Sequence, residues 1–590
     1  MFWLACRSSG CGGRAVSGSG GAGAGVGGWR DWAQVHAGRY RDGYRPAGVG
    51  FIWVDCVGSV ATMAVMSFSL SGKSIIGFGR GVGVEAAYSG VNPLTGETLE
   101  PVYVGALESE VARAGDLAAS AFLSYSVLSP RKRAGFLRAV AMHIEALGGD
   151  LVERMMAETA LASGRVEGER ARTCGQLRMF ADLIEDGSWA DVRIETARPD
   201  RAPLPKPDMR SMLIPSGPVV VFCAGNFPLA FSVAGGDVAS ALAAGCPVIV
   251  NAHSGHPGTA ELVGLAVVAA ARETGMPEGV FSLLYGADYG VGQALVRHPA
   301  VRGVGFTGSR AGGTALMAVA AARPVPIPVY AEMSSVNPIF ILPHALRERW
   351  GAIATGLHGA VTGGAGQFCT KPGVIFVTAG KEADQFVAKL GALINETPSC
   401  AMLNAGIAAN YAQRRSRLGS MVTVQVVAEG RDQQAGVFLT TARAWRKNAL
   451  LHEEVFGPSA LVVLCENDAD LLLSAEALEG QLTATVHAEA ADGDVVRALV
   501  PVFARKAGRV IHNGFPTGLE VCHATVHGGP FPATSDGRAT SVGTSSITRW
   551  ARAVCFQNMP VTLLPAELQD GNPRKIWRMV NGERTLLPLV

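Results

Sequence analysis

Between Gly217 and Met333 short apolar runs alternate with alanine-rich segments in a steady rhythm, and few architectures accept that pattern. The runs are Pro218–Phe222, Pro247–Asn251, Val280–Tyr285, Val301–Thr307 and Ile327–Ala331. Strands that are apolar on both faces need cover on both sides, and the intervening helical segments supply it. The pattern predicts βαβ units and a parallel, Rossmann-type sheet in an α/β protein. In such sheets ligands collect at the carboxyl ends of the strands. Asn226, Asn251, Thr307-Gly308-Ser309 and Glu332 all fall at or just after such an end.

Upstream, Ser129-Pro130 predicts a helix start, N-cap followed by proline, with Phe136, Leu137, Val140, Ile144 and Leu147 on one face until Gly148-Gly149. A second helix is predicted over about 151–180, interrupted around Ala162-Gly164. The polar stretch after Trp189, through Pro199, Pro203, Pro205 and Pro207, is too long for an ordinary loop. It is expected to be an arm that packs on a neighbouring subunit. At 590 residues, 48% apolar and with a net charge of +2, the chain can bury more than one core. Its charge balance gives no reason to expect nucleic acid or an anionic membrane as partner. Eleven cysteines without paired spacing fit reduced thiols and a cytoplasmic location. Residues 1–66 are Gly-rich and aperiodic, and are expected to be disordered or to lie upstream of a true start near Met63 or Met66. The apolar stretch within 46–70 is interrupted by Asp55, and no membrane span is expected.

Cys369 sits in Gly-Gly-Ala-Gly-Gln-Phe-Cys-Thr-Lys-Pro-Gly, a turn-prone setting that leaves backbone N–H groups free around one sulfur. With Glu332 in Ala331-Glu332-Met333 and Asn226 in Cys223-Ala224-Gly225-Asn226-Phe227-Pro228, the chain offers a nucleophile, a carboxylate base and an amide donor. Those are the parts of an acyl-transfer site. Singly, each has a plainer explanation: a core thiol, an ordinary carboxylate, a turn former. Gly308-Ser309-Arg310-Ala311-Gly312-Gly313 follows the fourth run and opens a helix, where free N–H groups could receive a pyrophosphate. Alone, such a turn is as readily structural.

Asn226-Phe227-Pro228, Gly305-Phe306-Thr307-Gly308-Ser309, Glu332, Gly366-Gln367-Phe368-Cys369 and Glu453-Glu454-Val455-Phe456-Gly457-Pro458 occur in the order and approximate spacing of the aldehyde dehydrogenase superfamily, which the chain resembles from about Ser69 onward. The segments Phe227–Ser232, Ala331–Pro338 and Gly514–Pro530 are most similar to the group acting on 2,5-dioxovalerate (α-ketoglutaric semialdehyde), with a related NADP-linked fatty-aldehyde dehydrogenase also similar. The resemblance implies an NAD(P)-binding domain (67–186 and 210–331), a catalytic domain (332–528), and an oligomerisation arm with a C-terminal segment (187–209 and 529–590) in a homodimer or homotetramer. It implies Cys369 as nucleophile, Asn226 and the Cys369 backbone N–H as oxyanion donors, and Glu332 as the base that activates water. Gly308, Ser309 and Gly313 would serve the cofactor, Glu454 would bond the nicotinamide ribose, and Phe456 would pack beside it. No metal is implied.

Most relatives carry Lys where this chain has Asn251, and NAD-preferring ones often carry Glu where it has Ser254. Without the acid a 2′-phosphate is admitted; without the lysine part of its attraction is lost. The expectation tilts to NADP over NAD, with His253 or His256 as compensating cations. Ser334 also replaces a glycine of generic members. For a substrate carboxylate, Arg170 with Thr173 is the expected anchor on the second helix, which also carries Arg172, Gln176 and Arg178. His523 and His527 fall in the loop that caps the site. Three functions stay open: oxidation of α-ketoglutaric semialdehyde, oxidation of an aliphatic aldehyde, or a non-catalytic relative.

Overall fold

The computed structural model describes residues 69–83, 85–431 and 434–589. The expectations for residues 1–66 lie outside these. Among the described residues no helix is long and apolar enough to cross a membrane.

The alternating region forms five parallel strands, β1 (Val219–Phe222), β2 (Val248–Asn251), β3 (Phe281–Leu284), β4 (Gly303–Thr307) and β5 (Val329–Glu332). Their order is β5-β4-β1-β2-β3, and two short antiparallel strands, Ile75–Ile76 and Gly79–Arg80, extend the sheet beyond β3. The order reverses between β1 and β4, so a crevice opens at their carboxyl ends. Every residue of β3 is buried, as a strand covered on both faces requires. Helices α1 (Pro130–Ala146), α2 (Ser163–Asp186), α3 (Pro257–Glu273) and α4 (Arg310–Ala321) flank it. Ser129 caps α1, accepting from the Lys132 N–H at 3.3 Å. The predicted second helix is two: Gly148–Thr159, stopped by Ala160 at φ 56°, and then α2.

A second sheet follows in the chain, built of β6 (Ile339–Ile341), β7 (Val374–Thr378), β8 (Gln425–Glu429), β9 (Gly436–Thr441), β10 (Ser459–Cys465), β11 (Gln481–His487) and β12 (Ala507–His512). Its order is β8-β9-β10-β7-β6-β11-β12, parallel except for β8 against β9. Phe340, Phe376 and Trp445 stack in its core.

The Pro-rich excursion enters a third sheet. Arg193–Glu195 and Met209–Pro215 pair antiparallel, and the strands Ala551–Gln557, Arg578–Val580 and Glu583–Thr585 complete it. One expected boundary needs correction. Residues 529–550 do not join this arm but return to the first sheet. Met333 N–H donates to the Ala533 carbonyl at 2.7 Å and Ser535 N–H to the Ala331 carbonyl at 3.0 Å, so the segment lines the end of β5. The returning chain then buries the Arg549–Asp237 ion pair, and Trp550 donates to Ser240 at 2.8 Å.

Candidate active site

Three chain segments converge at the carboxyl end of β5. Glu332 is the last residue of that strand, 3% exposed. The loop after it ends at Asn337, in the left-handed region at φ 44°. From there the Asn337 amide donates to the Cys369 carbonyl at 2.8 Å and the Lys371 carbonyl at 3.0 Å. One short loop thus carries the carboxylate at its start and pins the cysteine turn at its end. That turn also depends on Gly366, at φ 66°: a Cβ there would lie 2.3 Å from the Gly457 carbonyl carbon.

Cys369 is half-buried, with its sulfur 3.5 Å from His527 Nε2. His527 Nε2 in turn lies 2.8 Å from Glu332 Oε1, and the Ser541 hydroxyl donates to Glu332 Oε2 at 2.6 Å. Burial raises the Glu332 carboxyl. The neighbouring His527, with hydrogen bonds from His527, Ser541 and the Cys369 thiol, outweighs it and holds the group below the ordinary carboxylate value. For Cys369 burial, the Glu332 charge and the thiol's bond to Glu332 all push the pKa well up, while Arg172 opposes them. The pair is therefore poised as thiol and carboxylate, with His527 touching both. Asn226 stands three residues past Cys223, whose N–H donates to the Asn251 carbonyl, and its Nδ2 donates to the Gln367 carbonyl at 3.0 Å. A side-chain amide has two N–H bonds, and this contact uses one of them. Helix α2 fixes this turn: Glu169 accepts from the Leu229 and Ala230 N–H groups at 2.9 and 3.0 Å.

A half-buried nucleophile, an ionised carboxylate and an amide donor match the family expected from the motifs, and the aldehyde dehydrogenase family model matches residues 84–530. The chain belongs to the aldehyde dehydrogenase family. It is 49% identical over 521 residues to α-ketoglutaric semialdehyde dehydrogenase 2 of Azospirillum brasilense, covering 87% of this chain and 99% of that one. It is 46% identical over 489 residues to α-ketoglutaric semialdehyde dehydrogenase of Acinetobacter baylyi, covering 81% and 91%. Among solved structures, aldehyde dehydrogenase C of Pseudomonas syringae, with NAD+ and octanal bound, superposes with a TM-score of 0.70 at 20% identity, over 83% of this chain and 97% of that one. KauB of Pseudomonas aeruginosa gives 0.71 at 20%, over 83% and 97%. These structures share the fold.

As an aldehyde dehydrogenase the protein uses NAD(P)+, and the residues at the sheet's carboxyl edge fit such a dinucleotide. Helix α4 presents an exposed first turn, where Ser309 caps it by accepting from the Gly312 N–H at 3.1 Å and Gly308 lies beside it. Asn251 Oδ1, at the end of β2, is buried without a hydrogen-bond partner among the described residues. Glu454 is half-buried next to Lys371, and its carboxyl bonds the Ser334 hydroxyl. Ser334 also accepts from the Arg310 N–H at 3.4 Å, so it links the helix start to the Glu454 loop. Phe456, two residues on, is half-buried. Lys371 is 2% exposed and donates to the Val455 and Ser459 carbonyls at 3.0 and 2.9 Å, tying the Glu454 loop to the cysteine turn.

Several expected residues lie elsewhere. Gly313 is buried in helix packing, where a Cβ would stand 2.6 Å from the Met333 sulfur, so it does not border the exposed turn. Ser254 is exposed beyond β2. His253 cannot supply a compensating charge, because burial and then His256 push it down to about 3. His256 is buried against the Ala224 carbonyl at 2.9 Å. Arg170 reaches the Gly148 carbonyl at 2.9 Å and Thr173 spends its hydroxyl on the Glu169 carbonyl, since the face they share turns to the helical layer. His523 is exposed and meets Thr544 at 3.3 Å, whereas His527 is at the centre. Sequence reasoning missed Ser541, Asn337 and Lys371. Of these Asn337 and Lys371 lie inside quoted motifs, whereas Ser541 carried no signal.

Proposed function

We propose that the protein oxidises α-ketoglutaric semialdehyde to 2-oxoglutarate through a thioacyl intermediate on Cys369. The observation that carries the chemistry is the meeting of Cys369, Glu332 and His527 within hydrogen-bonding reach, with the Asn226 amide bonded to the cysteine turn at Gln367. The substrate rests on the two relatives at 49% and 46% identity.

In this reading the thiol proton leaves toward His527 Nε2, 3.5 Å away, as sulfur attacks the aldehyde carbon. The oxyanion is met by the second Asn226 N–H and the Cys369 backbone N–H; one such donor is worth about 3 kcal/mol of barrier. Bound NAD(P)+ supplies the hydride acceptor that oxidises the adduct. Glu332, steadied by His527 and Ser541, then takes a proton from the water that releases the acid. Asn251, Gly308, Ser309, Glu454 and Phe456 are read as the residues that serve the dinucleotide, and the absence of an acid in the segment after β2, where Ser254 stands, favours NADP+ over NAD+. An enzyme for aliphatic aldehydes, or a non-catalytic relative, is less well supported: nucleophile, base and amide donor are all in place.

The first sheet is read as the cofactor domain, the second as the catalytic domain, and the third as an arm joining a homodimer or homotetramer. Leu204, Leu563 and Trp577 are exposed in and around that arm. Light scattering on the purified protein tests the assembly. The function is tested by NADH and NADPH formation with α-ketoglutaric semialdehyde, hexanal and decanal. Preference for the dicarbonyl acid, lost in Cys369→Ala and reduced about 100-fold or more in Asn226→Ala, is expected. Preference for the apolar aldehydes would overturn the substrate assignment.

A further inference from the structure

Helix α2 carries Arg165, Glu169 and Arg172 at intervals of four and three, which places them on one face. That face covers the turn after Asn226. Arg165 is neutralised by Glu169 at 2.7 Å, and Glu169 is fully occupied by it and by two backbone N–H groups. Arg172 has no such partner. Its Nε and Nη2 are buried and unbonded, and among the described residues the guanidinium makes neither a hydrogen bond nor an ion pair. Guanidinium N–H groups buried and unpaired in this way are costly and persist where something else is meant to meet them.

Its surroundings say where. The guanidinium carbon lies 5.6 Å from the Phe227 ring centre and 5.4 Å from that of Phe231, in cation–π contact with both. Phe227 packs on Phe368, the residue before the nucleophile, with ring centres 5.9 Å apart, and Phe231 lies 6.1 Å from the His527 ring. Leu519, Val521 and Val542 close the same apolar cluster. The Arg172 charge is felt at the Cys369 sulfur. An aldehyde reaching Cys369 along this wall would pass methylenes over aromatic rings and meet one unpaired guanidinium.

We propose that Arg172 binds the substrate's carboxylate, held ready for it by the Phe227 and Phe231 rings beside Cys369. The guanidinium fork then donates Nε–H and Nη2–H to the two carboxylate oxygens, the arrangement planar anions favour. It replaces Arg170 in the role expected from the sequence. The inference rests on the proposed semialdehyde reading and names the residue that makes that reading specific. Arg509 is the competing cation near Cys369, but its Nη1 and Nη2 are spent on the Gly518 and Pro516 carbonyls at 2.9 and 2.6 Å.

The test compares kcat/KM for α-ketoglutaric semialdehyde with kcat/KM for pentanal in wild type, Arg172→Met, Arg172→Lys and Arg509→Gln. Taking the ratio cancels any effect of Arg172 on the thiol, which both substrates share. The ratio is expected to fall at least about 20-fold in Arg172→Met and to recover in part in Arg172→Lys. An unchanged ratio in Arg172→Met, or the fall appearing in Arg509→Gln instead, would overturn the proposal. A second arm separates it from the substrate reading: protection of Cys369 from iodoacetamide by 2-oxoglutarate, which needs no turnover. Protection in wild type that Arg172→Met abolishes supports the anchor even if the wild type does not oxidise the semialdehyde. Equal protection in both proteins overturns it.

Discussion

Ser541 donates its hydroxyl to Glu332 at 2.6 Å across 209 positions of sequence, and so helps to set the charge of the proposed base. Removing that donor in Ser541→Ala raises the Glu332 carboxyl, because a bond to its ionised form is lost. The base must be ionised to work. The variant should lose more activity at pH 6 than at pH 8, moving the acid limb of the kcat/KM profile upward. A uniform loss across the profile would argue that Ser541 only holds the loop.

Glu332→Gln should separate the two halves of the reaction. The Glu332 charge is one of the causes that push the Cys369 thiol up, so its removal brings the thiol down. Alkylation of Cys369 by iodoacetamide at pH 7.5 should speed up, while steady turnover falls about 100-fold or more for want of a base. A single-turnover burst of reduced cofactor should survive. Slower alkylation would show that Glu332 is the group that deprotonates the sulfur.

The mutual influence of the Lys371 and Glu454 charges predicts a pH dependence of cofactor affinity. Burial pushes Glu454 up to about 7, with Lys371 working against it, and burial pushes Lys371 down to about 8. A ribose hydroxyl is better received by the carboxylate than by the acid. NADP+ affinity, followed by calorimetry, should therefore tighten from pH 6 to pH 8, and the dependence should flatten in Glu454→Gln. Lys371→Met should also lower stability, since the Val455 and Ser459 carbonyls lose their donor; each such group costs about 1–3 kcal/mol if left unpaired.

Asn251 ends β2 with no charge and with an oxygen buried without a hydrogen-bond partner among the described residues. Asn251→Lys should strengthen NADP+ binding by about 10-fold or more, as a hydrogen bond to a charged group is worth roughly 1.5–3 kcal/mol, and NAD+ binding by less. Equal gains for both cofactors would place Asn251 away from the 2′-phosphate.

Cys369, His527 and Glu332 also bring sulfur, nitrogen and oxygen ligand atoms within 4.8 Å of one another. A thiophilic cation would find three ligands there and would occupy the nucleophile. Micromolar Zn2+ should inhibit, chelation with EDTA should restore the rate, and His527→Ala should blunt the inhibition.

The chain's own pattern was enough for the parallel sheet, because strands buried on both faces must be apolar throughout and leave their record in consecutive residues such as Val248–Asn251. It also singled out Cys369, Glu332 and Asn226 as candidates, whose neighbours in sequence build the turns that carry them. The partners that set their chemistry are of another kind. Ser541 and His527 are a long way along the chain from Glu332, and the segment carrying them returns to β5 only because it pairs there through backbone groups that any residue supplies. On α2, sequence spacing put Arg170 and Arg172 on different faces without saying which face meets the site. Packing decided it: the Arg170 side turned to the Gly148 carbonyl, and Arg172 was left between two phenyl rings with its N–H bonds unspent. Local propensity and turn chemistry are written in neighbouring residues, whereas burial, and with it every shifted pKa and unpaired donor here, exists only once distant segments have closed on one another.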